Sequence, residues 1–204
     1  TLGRLHKRSA HYFVPESFML KTITRTIDRL LWLVAHFGAL AMTALVLITV
    51  YDVLTRYFGI PKFAGLNSTM LQESEFWAHT VLFATFLGFA LVKQAHVRID
   101  LVRDTLPTRV KYFVEMAGLL FLLMPFSVFG IIYSLPYVAR SFATNEISSS
   151  TVGLSNVWLL KGMLLVMFCS LFFAGLSQLL KCIDGLLGNL NEAEEQTVIG
   201  GGHE

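Results

Sequence analysis

Apolar residues in this chain gather into four long blocks, which are separated by polar or charged stretches. A helix needs about 20 residues to cross the roughly 30 Å hydrocarbon core of a bilayer. The blocks fall near residues 30–51, 76–92, 112–138 and 157–183, and the second is lengthened by the polar residues before it. Because backbone groups in lipid must pair within their own segment, these blocks favour helices. The pattern predicts an all-α fold, an integral membrane bundle of four transmembrane helices.

The segments on either side of the spans have different patterns. From residue 16 onward, Met19, Ile23, Ile27 and Leu30 recur at helical spacing with charged residues between them. We therefore predict that residues 1–29 form a basic amphipathic segment, with a helix lying on the inner membrane surface. Residues 30–183 form the four-helix domain, and residues 184–204, rich in Gly and Glu, form a flexible tail.

Composition agrees with a membrane protein, and the position of the charges orients it. Of the 204 residues, 54% are hydrophobic and 15% are charged, whereas a soluble domain carries about 25% charged residues. Basic residues concentrate before the first span and between the second and third. The positive-inside rule then places both termini and the middle loop in the cytoplasm. We expect a multi-pass protein of the bacterial inner (plasma) membrane that contacts lipids and binds no nucleic acid.

The interiors of the spans carry few groups that could do chemistry. A transport path needs ionisable side chains or broken helices near the middle of the membrane, and no carboxylate lies near the middle of any span. Cys169 and Cys182 form neither a C-x-x-C pair nor part of a zinc ligand set. We therefore predict a non-catalytic chain with no cofactor and no metal site.

A haem- or quinone-binding membrane anchor of a redox complex is the alternative function. It would need two histidines at one depth, and the candidates are His36 and His79. His36 lies near the inner end of the first span and His79 near the outer end of the second. At 1.5 Å per residue their depths differ by about 15–20 Å, which disfavours a shared haem.

Two sets of residues are candidates for helix packing or for contact with a partner. Thr80, Ala84 and Gly88 recur every four residues, and such a groove admits another helix, either from the same bundle or from a larger membrane protein. Three charged residues lie at the outer face: Glu73, Glu75 and Lys161. The sequence is compatible with a polar cluster between the second and fourth spans, with contact to a partner, or with exposure to water. Ser68 or Thr69 is expected to cap the second helix.

Two ordered motifs carry a family resemblance. The second span has an acidic entry with Trp77 just beyond, and it leads to the sequence H-V-R-I-D at residues 96–100. Farther on, the pattern E-x-S…G-L…W…K leads into the last span through Glu146, Ser148, Gly153, Leu154, Trp158 and Lys161. In this order, the motifs resemble those of the small membrane subunit (DctQ-like) of tripartite ATP-independent periplasmic, or TRAP, transporters.

This resemblance implies a complex of three proteins. A large membrane subunit would carry the substrate and sodium sites, and a soluble periplasmic binding protein would capture the solute, typically an organic acid. The small subunit would be a scaffold packed on the large subunit, and Arg98 and Asp100 would pair with each other or with the large subunit at the cytoplasmic side. The expected partner interface comprises Glu73, Glu75, Thr80, Ala84, Gly88, Arg98, Asp100 and Lys161.

Overall fold

The computed structural model describes residues 15–63, 65–95, 106–150 and 152–199, and within these ranges every regular element is a helix. We number the α-helices in chain order. They are α1 (Pro15–Tyr57), α2 (Ser68–Val92), α3 (Thr108–Gly118), α4 (Met124–Ala143), α5 (Val157–Leu186) and α6 (Glu192–Ile199). A π-helical turn, Leu119–Leu123, joins α3 to α4 without a break, so that these elements form one long helix.

The four predicted membrane spans are confirmed. Four helical stretches are long and apolar enough to cross a membrane: Met19–Tyr57, Ser68–Val92, Thr108–Ala143 and Val157–Leu186. In the third span, the π-helical turn ends two residues before Pro125. Proline lacks a backbone N–H and disturbs the turn that precedes it, and a π-turn is one way in which a helix accommodates such a defect.

The first helix differs from the prediction at its N-terminal side. A separate helix on the membrane surface is not confirmed, because residues 15–29 continue directly into the span as part of one 43-residue helix. At 1.5 Å per residue this helix is about 64 Å long, roughly twice the thickness of the hydrocarbon core. A substantial part of α1 therefore extends beyond the membrane.

Helix α5 is the centre of the fold. It contacts every other helix, while α1 and α2 also pack extensively on each other. The approach of α2 to α5 is close at Gly88, where a Cβ atom would lie 2.7 Å from the backbone oxygen of Ser170. On α4, buried serines repeat every seven residues along one face, at Ser127, Ser134 and Ser141. Small side chains of this kind let helices approach closely in lipid, where hydrophobic burial provides no driving force.

The two ends of the bundle are closed differently. We call the end that carries residues 58–67 and 144–156 the loop end, and the opposite end, where α1 begins, the α6 end. The sequence predicts a flexible tail from residue 184, but α5 runs to Leu186 and residues Glu192–Ile199 form α6. Val198 and Ile199 are buried in a cluster with Tyr112 and Cys182. These apolar contacts offset the entropy cost of ordering a segment whose composition is otherwise typical of a tail.

Candidate functional site

The connection between α4 and α5 is a folded loop held by a carboxylate from α2. Glu73 accepts hydrogen bonds from the Ser148 hydroxyl and, at 2.5 Å, from the backbone N–H of Leu154. Within the loop, the N–H of Ser148 donates to the carbonyl of Leu154 at 3.1 Å. A single ionised side chain thus ties both sides of the loop to the start of the second span, and hydrogen bonds to a charged acceptor are the stronger kind.

An ion pair fixes the same loop to the start of α5. Lys161 Nζ lies 2.5 Å from Glu146 Oε2 and 4.1 Å from the centre of the Tyr137 ring. The hydrogen bond from Lys161 is the main reason that the pKa of Glu146 lies below its usual range. The N–H of Val157 also donates to the carbonyl of Glu146 at 3.2 Å. This side of the loop is therefore joined to α5 through both side chain and backbone.

Gly153 is needed where the loop passes Glu73. A Cβ atom at this position would lie 2.5 Å from Glu73 Oε1 and 2.5 Å from Ser148 Oγ. Together with the ring of Trp158, which meets Phe142 edge-on at 5.2 Å, these contacts give a structural reason for each element of the E-x-S…G-L…W…K pattern. The motif folds this loop against α2 and α5 at one end of the bundle.

A further contact at the loop end was missed by the sequence analysis. The cap of α2 is Asn67, and the prediction of Ser68 or Thr69 was wrong: Asn67 Oδ1 accepts from the N–H of Met70 at 2.7 Å. Its Nδ2 atom donates to the carbonyl of Val152 at 3.3 Å. Asn67 is a preferred capping residue in its own right, so the local pattern contained the signal.

The predicted interface residues on α2 fall into different environments. Ala84 is 3% exposed and, with Gly88, lies against α5, so this part of the small-residue groove is filled within the chain. Thr80 is only partly buried, and its hydroxyl donates to the carbonyl of Phe76. Glu75 has one buried carboxylate oxygen without a hydrogen-bond partner in the described part of the chain.

The predicted polar cluster at the outer face therefore resolves into separate contacts. Glu73 holds both sides of the loop to α2 through Ser148 and Leu154, and Lys161 holds the first side to α5 through Glu146. Arg98 and Asp100 lie outside the described residues, so that their predicted pairing stays a prediction.

The α6 end contains a second polar network that the sequence did not indicate. Asp28 on α1 accepts from Lys181 Nζ and from Ser177 Oγ on α5, each at 2.6 Å. The carbonyl of Val198 accepts from two glutamine side chains, Gln94 at 3.0 Å and Gln178 at 2.8 Å. The sequence signals for this network were Gln178 in the last span and the apolar pair Val198 and Ile199 in an otherwise acidic tail.

Helix α6 is also tied to α1 by charge. Lys21 Nζ lies 3.3 Å from Glu194 Oε2 and donates to the carbonyl of Asn189 at 3.2 Å. The pKa of Glu194 is lowered, first by the backbone N–H of Asn191 and then by Lys21. Through these contacts α6 bridges the first and last spans.

The histidines do not support the haem alternative. The Nδ1 atom of His36 lies 2.8 Å from the carbonyl oxygen of Trp32, one turn earlier, and therefore acts as the donor. The ring of His79 packs against Phe83 at 4.9 Å between centroids. Among the described residues, no group of three or more His, Cys, Asp or Glu side chains is arranged to hold a metal ion.

Comparison with known families gives a match that agrees with the motifs. Residues 45–185 match the family described as tripartite ATP-independent periplasmic transporters, DctQ component. No curated protein and no solved structure matches the chain. The matched region covers more than half of the chain and includes both the Glu73 contact and the whole folded loop. The chain therefore belongs to the DctQ component family, the small membrane subunits of TRAP transporters.

Proposed function

We propose that this chain is the non-catalytic scaffold subunit of a TRAP transporter and packs on the large membrane subunit. The family implies association with a large membrane subunit and a periplasmic binding protein. In this proposal the large subunit carries the solute, coupled to sodium, and the binding protein delivers an organic acid or a related solute. The chain described here supplies a membrane platform and a docking surface.

The distribution of charge in the spans supports a scaffold role. Residues 30–51, 76–92, 116–139 and 162–180 contain no Asp, Glu, Lys or Arg. A solute or ion path through the chain itself would need polar groups at these depths. The charged side chains instead lie at the ends of the spans, where they hold loops and helix termini together.

The folded loop at the loop end is the observation that carries the proposal. Binding to a surface that is already ordered avoids the entropy cost of ordering it during association. Glu73 and Lys161 hold the loop on two different helices, so its position relative to the bundle is fixed. We assign this loop to the docking of the periplasmic binding protein, with Glu75 and Thr80 as further candidates for contact with the large subunit.

Orientation follows from the same proposal. The loop end faces the periplasm, and the α6 end, which is near the basic N-terminal segment, faces the cytoplasm. Arg98 and Asp100 then belong to the cytoplasmic loop between the second and third spans and contact each other or the large subunit. This arrangement agrees with the positive-inside rule.

Co-expression with the cognate large subunit tests the proposal. Purification in mild detergent followed by mass spectrometry should recover both polypeptides, and proteoliposomes holding both should take up solute when binding protein and a sodium gradient are supplied. Glu73→Ala should leave assembly intact but reduce uptake at limiting binding protein by about tenfold, because the docking loop is no longer held. Gln72→Ala is the matched control for uptake, because Gln72 is the neighbouring residue on α2 and its side chain is exposed.

The outcomes separate the candidate functions. A homo-oligomer of this chain with no second polypeptide would contradict the scaffold role. Normal uptake by Glu73→Ala at every concentration of binding protein would refute the docking role of the loop while leaving the family assignment intact. A visible haem absorption band in the purified chain would favour the redox anchor instead.

A further inference from the structure

The N-terminal turns of α1 expose an apolar face. Met19 is 65% exposed, Ile23 41% and Leu30 58%, and Ile27 lies between them on the same side of the helix. Residues spaced by three and four positions share one face of an α-helix. The face is thus a continuous apolar strip along the part of α1 that precedes the span.

The opposite side of these turns is held in place by polar contacts. Lys21 binds Glu194 and the carbonyl of Asn189, while Asp28 binds Lys181. Two helices, α5 and α6, therefore hold the N-terminal part of α1 along the bundle, over a distance of seven residues. In this arrangement the helix does not lie flat on the membrane, and its apolar strip points away from the chain's own core.

The depth of the strip decides what could cover it. Lys181 follows the charge-free stretch of α5 and marks the edge of the hydrocarbon core, and Asp28 pairs with it at 2.6 Å. Met19 lies nine residues before Asp28, hence about 13 Å farther out, or about 10 Å with a helix tilt of 40°. The headgroup layer is only about 5–8 Å thick on each side. In the isolated chain, lipid would therefore reach the strip near Leu30 but would not reach Met19.

The strip continues into the membrane as a groove. Between α1 and α5 lies an open cavity of about 480 Å³, lined almost wholly by apolar atoms. Its walls include Ile27, Leu30 and Val34 from α1 and Leu165 and Phe173 from α5. A single elongated partner could fill the groove and continue along the strip, which is the shape of a membrane helix that extends past the bilayer.

Charge beside the strip indicates the chemistry of the partner. Arg25 and Arg29 are exposed on the neighbouring face of α1. A partner segment with an apolar ridge and acidic residues at its edge would complement this surface, whereas a second copy of the same basic helix would place like charges together.

We infer that the apolar face of α1 at Met19, Ile23, Ile27 and Leu30, together with the groove over α5, binds a membrane helix of the large subunit where that helix leaves the bilayer on the α6 side. This inference rests on the proposed function, because it assigns the position of the large subunit on the scaffold. It also explains why α1 is so much longer than a span.

The test uses the full chain co-expressed with its large subunit and a photo-crosslinking amino acid placed at Met19. We expect a crosslink to the large subunit, identified by mass, and at least about tenfold less crosslinking from the same probe at Arg109. Arg109 is the matched control, because it is exposed near the α6 end but lies at the start of α3, in the third span.

A substitution pair gives an independent readout. Ile23→Asp should lower recovery of the large subunit at least about tenfold, because an unpaired carboxylate would be buried at the contact. Ile23→Leu should keep recovery within about twofold of the parent chain. If Ile23→Asp fails to fold, as judged by loss of a monodisperse elution peak, the crosslinking result decides the question alone.

The unfavourable outcomes are distinct. Recovery of no large subunit by the parent chain would refute the proposed function itself, and this inference with it. If the parent chain recovers the large subunit but the Met19 probe labels only a second copy, only lipid or nothing, the position inferred here is wrong and the scaffold role stands. Normal recovery by a folded Ile23→Asp chain would also overturn it.

Discussion

The loop end and the α6 end are both held to α5, but by different chemistry. At the loop end, Glu73 accepts hydrogen bonds from the Ser148 hydroxyl and the backbone N–H of Leu154. Glu146 pairs with Lys161. At the α6 end, polar contacts surround a buried apolar centre formed by Tyr112, Cys182, Val198 and Ile199. The loop end is a polar clasp, whereas the α6 end is a small core with polar edges.

This difference has consequences for stability and for function. An arrangement of partly exposed charges is specific in geometry but contributes only a modest net free energy. An apolar cluster contributes more free energy because it removes area from water. We therefore expect the α6 end to contribute more to the stability of the fold. Substitutions at the loop end should unfold the bundle less readily.

The largest expected effect is at the α6 end. Shortening the chain after Asn191 removes α6 and with it Val198 and Ile199, whose burial stabilises the fold by about 1.5–3 kcal/mol each. Cys182, which is 0% exposed, should then react with a maleimide at least about tenfold faster in a Cys169→Ser background. The reaction rate of the folded protein in detergent is the measurement.

A second truncation provides the control. A chain shortened after Ile199 keeps α6 and should react at the rate of the full chain. Equal rates for both truncations would show that α6 does not shield Cys182, and the description of the α6 end as an apolar core would then fail.

The sequence predicts the spans of this fold but not the structure at the α6 end. The four spans were predicted because lipid demands about 20 apolar residues in each crossing and leaves few alternatives. The helix α6 was not predicted, because its glutamates and the glycines on either side of it dominate the local composition, and Tyr112 is distant in sequence. A short apolar pair such as Val198 and Ile199 becomes informative only when its neighbours in space are known.

The site at the loop end was predicted in part. The motif identified Glu73, Lys161 and the family, but spacing alone could not say that each binds the same loop from a different helix. It also could not separate Glu73, which holds Ser148 and Leu154, from Glu75, which has no such contact in the described residues. Two carboxylates that are two residues apart point to different sides of a helix, and the partner of each depends on tertiary packing.

An intermediate effect is expected when Glu73 is removed. Glu73→Ala leaves the N–H of Leu154 and the hydroxyl of Ser148 without their acceptor, so the Leu154 amide should exchange its hydrogen about tenfold faster. Amide exchange measured by NMR or mass spectrometry reports this directly. Glu75→Ala should leave the exchange of Leu154 unchanged, and neither variant should alter the reactivity of Cys182.

This pair of variants tests whether the two ends are independent. If Glu73→Ala also accelerates the labelling of Cys182, the ends are coupled through α5 and cannot be treated as separate joints. An unchanged Leu154 amide would instead show that Glu73 does not hold the loop.

The smallest expected effect is the response to acid, which should separate the two ends by their chemistry. The pKa of Glu146 is lowered, chiefly by its hydrogen bond from Lys161. A carboxyl group whose pKa is lower in the folded state stabilises that state at neutral pH, and this contribution is lost as the pH falls through the lowered pKa. Protection of the Val157 amide, corrected for intrinsic exchange, should therefore be flat near neutrality and decline below about pH 4.

The α6 end should decline less over the same range. Glu194 also has a lowered pKa and loses its contact with Lys21 in acid. The burial of Ile199 and the hydrogen bonds from Gln94 and Gln178 to the Val198 carbonyl do not depend on pH in this range. Glu146→Gln should reduce the acid response of the Val157 amide to the part that comes from the Glu73 contacts, and it should weaken the protection of this amide at neutral pH. Equal acid sensitivity of Val157 and of the α6 amides would mean that charge dominates both ends, and the distinction between a polar clasp and an apolar core would be lost.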